Sequence, residues 1–396
     1  IPGLAVDRTG FAILGAVAFL ATGLVSLKQA IASMDVPTLS LLFGMMLLSV
    51  QYQRSGLYAL IGNRIAASKS PRTIMLGAII ASAMLSAVLT NDVVCFALVP
   101  LIAPALMSSR IDPLPYLVAI ACASNIGSAL TPIGNPQNIL IAQSMKLEFL
   151  PFVLACALPV LASLVFLYVF MLRHIRPKEA ASGAADTIRI SASSFPSVSA
   201  APLQPINRFE AGKAVVLTVA AITLFLVPSV PAWLTALGIA GVVLLSRKAA
   251  SRDLLTLVDW PLLALFMGLF VVVRGLELSG WTHSISSTMA ASGAPLDSAG
   301  VYMPVAFVLS NAVSNVPAVM LLLPFVGQDA PTGHALALMS TFAGNALLVG
   351  SIANIIVAEQ AKRLGLEFGF WQHLRIGLPV ALVSGAFAVL THLLMG

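Results

Sequence analysis

The sequence predicts an all-α polytopic membrane protein with two structural repeats, each containing a re-entrant helical hairpin and a broken transmembrane helix. Three observations support this prediction. Apolar residues make up 59% of the chain and charged residues only 9%, whereas soluble domains carry about 25% charged residues. Apolar segments recur along the whole chain, and polar residues, glycines or prolines interrupt several of them. The chain also matches itself at a fixed offset.

The basic residues indicate membrane topology. The net charge is +6, which by itself would also suit a nucleic-acid partner. The basic residues lie in short loops between apolar segments, the pattern of the positive-inside rule, so we expect a lipid bilayer and no nucleic acid as partner. They form three groups: Arg54, Arg64, Lys69 and Arg72; Arg173, Arg176 and Lys178; Arg247, Lys248 and Arg252.

The apolar segments predict the helices. A full membrane span needs about 20 apolar residues, and several segments are shorter and occur in pairs separated by a polar break. Residues 53–72 and 277–296 are of mixed polarity and are typical of amphipathic connectors. The apolar segments cover 11–27, 36–52, 73–90, 93–109, 115–130, 137–145, 150–172, 212–229, 231–246, 258–276, 298–312, 316–327, 336–349, 352–361 and 374–395.

An internal repeat relates the two halves. Asp35-Val36-Pro37 in the first half recurs as Asp259-Trp260-Pro261 in the second. The same spacing relates Gly44 to Gly268, Asn91 to Asn315 and Pro100 to Pro324, and a gapped extension aligns Gly134 and Asn138 with Gly350 and Asn354. Because repeats in transporters are usually inverted, we expect the two halves to have opposite orientation.

The repeat and the composition define the domain organisation. Residues 177–211 are rich in Ala, Ser and Pro and predict an extramembrane linker. Segment 212–229 has no counterpart before 11–27, so we expect one further membrane helix upstream of Ile1. The predicted units are a scaffold helix over 1–31, a first transport repeat over 32–176, the linker over 177–211, scaffold helices over 212–256 and a second transport repeat over 257–396.

A single carboxylate marks the first hairpin. Asp92 follows Thr90 and Asn91 and is the only charged residue between Thr73 and Ser109. A carboxylate in such a run is costly in hydrocarbon, so it should face a water-filled cavity or an ion or proton path. The alternative is a helix N-cap in a buried loop. The second half repeats this hairpin at Ser314-Asn315, without the carboxylate.

Two breaks lie downstream of the hairpins. Thr131-Pro132-Ile133-Gly134-Asn135-Pro136-Gln137-Asn138 interrupts the first half, and Gly350-Ser351-Ile352-Ala353-Asn354 interrupts the second. Breaks at membrane depth are tolerated where they are buried or line a cavity. Freed carbonyls can bind a cation there, and the next half-helix offers its amides to an anion. The alternative is a kink whose polar side chains repair the backbone.

Several function classes lack support in the sequence. The five histidines are unclustered and the three cysteines lie in apolar runs, so we expect neither a metal site nor a disulfide. No Gly-x-x-x-x-Gly-Lys loop occurs, which argues against ATP-driven transport by this chain. No hydrolase motif occurs, which argues against a membrane enzyme. We therefore expect no cofactor and no enzymatic activity, while a channel stays an alternative.

Together the four motifs resemble the ion transporter superfamily, which includes ArsB-type arsenite exporters, NhaD-type sodium/proton antiporters, divalent-anion/sodium symporters and YbiR-type anion permeases. The resemblance covers roughly residues 30–395 and implies that the hairpin tips and broken helices form the substrate and ion sites. The residues implicated in substrate or ion binding are Thr90, Asn91, Asp92, Thr131, Gly134, Asn135, Asn138, Ser314, Asn315, Gly350, Ser351 and Asn354.

The Asn91-Asp92 pair is similar to the ArsB type, so we expect a secondary transporter that exports arsenite, antimonite or a related anion, with Asp92 carrying the coupling proton. A sodium-coupled di- or tricarboxylate symporter and a sodium/proton antiporter are the alternatives, with sodium as coupling ion. The expected location is the inner (plasma) membrane. A homodimer and an association with an ATPase subunit stay open.

Overall fold

The computed structural model describes residues 6–68, 70–175, 206–246 and 249–395. Within these ranges every regular element is a helix and no strand occurs, which confirms the all-α class. The helices of the first half are α1 (Arg8–Ala21), α2 (Leu27–Ser33), α3 (Val36–Ser55), α4 (Leu57–Ala66), α5 (Pro71–Val88), α6 (Asn91–Ser108), α7 (Leu114–Ser128), α8 (Pro136–Ser144) and α9 (Phe149–Leu172).

The second half repeats this order after one additional helix, α10 (Arg208–Phe225). Its other elements are α11 (Ala232–Leu244), α12 (Ser251–Leu255), α13 (Trp260–Leu278), α14 (Trp281–Ala291), α15 (Ala299–Val313), α16 (Asn315–Leu322), α17 (Ala330–Ala343), a 3-10 turn (Leu348–Gly350), α18 (Ile352–Arg363) and α19 (Phe370–Met395). Most of the predicted linker falls on 176–205, outside the described residues. The linker is predicted to end at residue 211, but α10 already begins at Arg208, because Asn207 is the N-cap of this helix.

Repeated capping signals explain the start of the matching helices α3 and α13. Asp35 accepts a hydrogen bond from the amide of Thr38 at 3.1 Å, and Asp259 accepts one from the amide of Leu262 at 3.0 Å. A carboxylate at this position satisfies an amide that has no intrahelical acceptor, and proline fits the first helical turn. The recurring Asp-x-Pro triplet is therefore a helix-start signal.

Helix lengths agree with a membrane protein. In the described ranges, five helices are long and apolar enough to cross a bilayer, and the pair α2 and α3, bent by 54°, would make a sixth span. The five are α5, α6, α9, α13 and α19. The helices that flank the two breaks are shorter, which is expected where two half-helices share one crossing.

The two repeats have opposite orientation. Lys213, near the start of α10, donates to the carbonyl of Leu245 at the end of α11 at 3.2 Å. The backbone amide of Asn207, the residue before α10, donates a hydrogen bond to the carbonyl of Ser55, the last residue of α3. The end of α3 and the end of α11 therefore lie at one face of the protein. α13, the counterpart of α3, follows from this face after the short helix α12.

The opposite face supports the same inversion. A cavity of about 480 Å³ is lined by Asp35, which precedes α3, and by Arg274 and Glu277 at the end of α13. The start of α3 therefore lies beside the end of α13. α3 and its repeat mate α13 therefore run in opposite directions. This is the inverted arrangement that the sequence predicts.

A reciprocal exchange of helices joins the halves. α11 packs on α3, and α1 packs on α13. At the first interface a Cβ on Gly44 would overlap the backbone of Ala236, and at the second a Cβ on Gly268 would lie 2.9 Å from the backbone of Ala12. Gly268 is the repeat mate of Gly44, and Ala236 follows Ala12 at the same spacing. The glycines permit close helix contact, as small residues do in membrane interfaces.

Candidate functional site

The first hairpin ends inside the protein. α5 ends at Val88 and α6 begins at Asn91, so only Leu89 and Thr90 form the turn. Leu89, Thr90 and Asn91 are all buried. A hairpin whose tip is enclosed by protein matches the predicted re-entrant hairpin, since its backbone polar groups need partners that lipid does not offer.

Asp92 occupies the first turn of α6 and is half-buried. Its carboxylate makes no hydrogen bond and no ion pair with any residue in the described ranges, and the charged groups that act on it are Arg8 and Asp259. The N-cap position of α6 belongs to Thr90, so the N-cap alternative for Asp92 is wrong. A carboxylate in the first turn still interacts favourably with the helix dipole.

In the first broken helix, polar side chains satisfy the freed backbone. Asn135 caps α8 by accepting from the amide of Asn138 at 2.8 Å. The side-chain amide of Asn138 donates to the carbonyls of Ser128 at 3.3 Å and Thr131 at 3.1 Å. The hydroxyl of Thr131 donates to the carbonyl of Ala87 on α5. These freed carbonyls are therefore held by protein donors, which is the repaired-kink alternative for Thr131 and Asn138.

The second broken helix repeats the arrangement. Ser351 caps α18 by accepting from the amide of Ala353 at 3.3 Å. Asn354 donates to the carbonyls of Gly344 at 2.8 Å and Leu347 at 3.0 Å. Its repeat mate Asn138 has the same role in the first half.

The two predicted glycines of the breaks stand where the chain packs closely on itself. A Cβ on Gly134 would overlap the carbonyl oxygen of Ser128, and one on Gly350 would lie 2.7 Å from Oδ1 of Asn311. Interiors are packed too tightly to absorb such an overlap without a shift. Both glycines therefore serve the geometry of the breaks.

Asn125 on α7 links the first hairpin to the second break. Its Oδ1 accepts from Nδ2 of Asn91 at 3.0 Å and from Oγ of Ser351 at 3.0 Å. Its Nδ2 donates to Oδ1 of Asn345 at 2.9 Å and of Asn354 at 3.2 Å. We name these five residues, Asn91, Asn125, Asn345, Ser351 and Asn354, the Asn125 cluster.

Thr341 on α17 makes the mirror-image link. Thr341 is the repeat mate of Asn125, because the two are separated by the same number of residues as Asn138 and Asn354. Its hydroxyl oxygen accepts from Nδ2 of Asn135 and Nε2 of Gln137, both at 3.2 Å, and its proton points to Oδ1 of Asn138 at 3.4 Å. We name Ser128, Asn135, Gln137, Asn138, Asn315 and Thr341 the Thr341 cluster. Each half therefore reaches into the break of the other.

The tip of the second hairpin is a single residue. Ser314 has φ 76° and ψ 158°, a region essentially reserved for glycine, and such strain is found at functional sites. In the amide orientation that satisfies its neighbours, Asn315 donates to the carbonyls of Ser340 and Gly350, both at 3.1 Å, and accepts from Gln137 at 3.2 Å. Asn315 thereby touches both breaks.

The two clusters differ in unused polar atoms. In the Asn125 cluster, Oδ1 of Asn91 and Nδ2 of Asn345 are buried without a partner among the described residues. No side chain of the Thr341 cluster has such an atom. A buried unpaired polar group costs about 1–3 kcal/mol, so each such group needs an explanation, and a bound ligand is one.

The Asn125 cluster also joins two helix N-termini. Asn91 begins α6 and Ser351 caps α18, and both bond to Oδ1 of Asn125. Helix N-termini favour negative charge and acceptor atoms. The members are amides and a hydroxyl, so the cluster offers neutral donors and acceptors beside one carboxylate, that of Asp92.

The structure brings all twelve predicted residues to the two tips and the two breaks. It adds Gln137, which lies within the first break, and Asn125, Thr341 and Asn345, which precede the two breaks; the sequence does not predict these four as site residues. Asn125 and Thr341 fall at equivalent places within their halves, and that repeat relation is the signal that could have identified them.

Comparison with known proteins supplies relatives of nearly full length. Silicon efflux transporter LSI3 of Oryza sativa subsp. japonica is 29% identical, over 98% of this chain and 93% of that protein. The "Putative transporter arsB" of Dictyostelium discoideum is 25% identical, over 99% of this chain and 88% of that protein.

A solved structure and a family profile also match. The crystal structure of the Alcanivorax borkumensis YdaH transporter superposes with a TM-score of 0.61 and 13% identity and covers 98% of both chains, which shows a shared fold. The profile of the family described as CitMHS, citrate transporter, matches residues 3–343.

Proposed function

Because the chain belongs to the CitMHS citrate transporter family, within the superfamily that its motifs resemble, we propose that it exports arsenite, antimonite or a related small anion in exchange for protons. It acts as a secondary transporter in the inner (plasma) membrane. The substrate binds at the Asn125 cluster, and Asp92 carries the coupling proton.

The proposal rests on the two polar atoms of the Asn125 cluster that are buried without a hydrogen-bond partner among the described residues. Oδ1 of Asn91 is an acceptor and Nδ2 of Asn345 is a donor. A neutral hydroxide such as arsenite at neutral pH both donates and accepts through its hydroxyl groups, so it offers each of these atoms the kind of partner that it lacks. A fully ionised carboxylate group can only accept, so a dicarboxylate such as succinate would leave Oδ1 of Asn91 unpaired.

Arsenic chemistry agrees with a hydroxide form. Thiolates are the soft ligands that would capture arsenic directly. The three cysteines, Cys95, Cys122 and Cys156, are buried and lie outside both clusters. Recognition through hydrogen bonds to the hydroxide is therefore the mechanism that the available side chains favour.

Asp92 suits proton coupling. It is adjacent to Asn91, and its carboxylate has no hydrogen-bond or ion-pair partner among the described residues. An ionisable group of this kind in a membrane segment marks an ion or proton pathway by default. Protonation would convert this carboxylate from a hydrogen-bond acceptor into a donor beside the hydroxyl groups of the substrate, which couples proton binding to substrate binding.

The relatives support export of an inorganic solute. One is named a silicon efflux transporter and another arsB. The hydrated forms of silicon and arsenic share the same chemistry, a small neutral centre that carries hydroxyl groups. A site with one free donor and one free acceptor fits this class.

Sodium-coupled transport of a citrate-like anion is the second candidate. The family description names citrate, and the convergence of the α6 and α18 N-termini on Asn125 favours an anion. Under this alternative the helix termini would provide the attraction, since no lysine or arginine belongs to the Asn125 cluster.

Flux into proteoliposomes distinguishes the two candidates. The purified protein would be reconstituted and supplied with radiolabelled arsenite, antimonite, succinate or citrate, with either a pH gradient or a sodium gradient imposed. We expect arsenite or antimonite flux that follows the pH gradient and is independent of sodium. Sodium-driven citrate or succinate uptake without metalloid flux would refute the proposal in favour of the second candidate.

A further inference from the structure

His373 is a buried imidazole that the proposed transport cycle does not use. It lies in the first turn of α19 and is fully buried. The repeat relates Pro379 of α19 to Pro159 of α9, and the same spacing places Val153 opposite His373. The histidine is therefore a feature of the second half alone.

The contacts of His373 determine its tautomer. Its Nε2 lies 2.9 Å from the carbonyl oxygen of Asn345 and 3.3 Å from Nδ2 of Asn354. Both hydrogens of that Nδ2 are used by the carbonyls of Gly344 and Leu347. The bond to Asn345 therefore requires a proton on Nε2, because a carbonyl oxygen only accepts.

A glycine one turn further along completes the contact. A Cβ on Gly377 would overlap the carbonyl oxygen of Asn345. Because Gly377 has no side chain, this carbonyl can approach α19, where it accepts the hydrogen bond from the imidazole of His373. The carbonyl belongs to Asn345, two residues after the end of α17, so α19 holds the chain that leads into the second break.

We propose that His373 is a positioning residue of the substrate site, which holds the backbone of Asn345 so that the side chains of Asn345 and Asn354 face Asn125. This inference rests on the proposed substrate site. His373 acts through Nε2–H, and its Nδ1 has no partner among the described residues. Loss of this bond should loosen Asn345 and weaken substrate binding, without removing any group that touches substrate.

Three replacements of His373 distinguish the effect of its Nε2–H hydrogen bond from the effect of its side-chain volume. Glutamine places an amide nitrogen where Nε2 lies, asparagine can reach only the place of Nδ1, and leucine has no donor. We expect His373→Gln to keep the half-saturation concentration for arsenite within about two-fold of wild type. His373→Leu and His373→Asn should raise it about five-fold, the effect of one hydrogen bond of about 1 kcal/mol, with an unchanged maximal rate.

His334 supplies a matched control. It is buried on α17 and packs edge-on against the ring of Phe152, with ring centroids 5.4 Å apart, away from both clusters. His334→Leu should leave the half-saturation concentration unchanged. An unchanged value in His373→Leu, or a raised value in a folded His373→Gln variant, would overturn the inference.

Unfolding measurements test His373 independently of the substrate. His373→Leu and Asn125→Ala both act on Asn345, so the double variant should lose less stability than the two single variants together. Additive losses would overturn the positioning role even if arsenite is transported. Non-additive losses of stability would support the positioning role of His373. If no metalloid flux were then observed, only the proposed substrate would be refuted.

Discussion

Replacement of Asn125 by alanine is expected to destabilise the link between the two halves. The side chain makes four hydrogen bonds, to Asn91, Ser351, Asn345 and Asn354. Side-chain hydrogen bonds inside membrane proteins contribute about 0.6 kcal/mol each on average. Loss of all four, with partners left unpaired in a closed interior, should lower the free energy of unfolding by about 2–4 kcal/mol.

The assay is reversible unfolding in mixed detergent micelles, followed by circular dichroism across a denaturing-detergent titration. Ser163→Ala is the control, because Ser163 is equally buried and its hydroxyl bonds only to Pro159 within α9, at 2.7 Å. We expect the control to change stability by less than about 1 kcal/mol. An Asn125→Ala variant that is no less stable than Ser163→Ala would refute the view that this amide joins the halves.

Three further predictions concern coupling, packing and strain. Asp92→Asn should abolish proton-coupled transport and leave folding intact, with the exposed Asp297→Asn as control; normal flux with an unchanged pH dependence would contradict this role. Gly44→Ala should cost about 1–3 kcal/mol of unfolding free energy by overpacking against Ala236, whereas Gly241→Ala, with open space around it, should be neutral or stabilising. Ser314→Gly should stabilise the protein by about 1 kcal/mol by relieving its positive φ; a lower melting temperature would contradict that strain.

Much of the fold could be predicted from the sequence, because the bilayer constrains it strongly. Apolar runs gave the long helices to within a few residues, and the Asp-x-Pro triplets coincide with the starts of α3 and α13. The sequence does not predict the short helices α2 and α12, since they mix polar and apolar residues and have only seven and five residues. Tertiary contacts stabilise elements that are too short for their own propensity to decide.

The site could be predicted only in part. Polar residues isolated in apolar runs indicated the tips and breaks. Their partners were not predictable, because Asn125 bonds to Asn345 in the other half of the chain, and only tertiary packing selects that pair. The sequence predicts Thr131 and Asn138 as ligands, whereas the hydroxyl of Thr131 and the side-chain nitrogen of Asn138 donate to backbone carbonyls. His373 is one of five unclustered histidines in the sequence, and its contact with Asn345 depends on the path of α19.

The position of a bound metalloid would test the proposed substrate site directly. Antimonite scatters anomalously, so a crystal structure of the protein with antimonite would locate the antimony without assumptions about the fold. We predict one anomalous peak placed so that the hydroxyl groups on the antimony donate to Oδ1 of Asn91 and accept from Nδ2 of Asn345. A peak among Asn135, Asn138 and Thr341, with the Asn125 cluster unoccupied, would refute substrate binding at the Asn125 cluster.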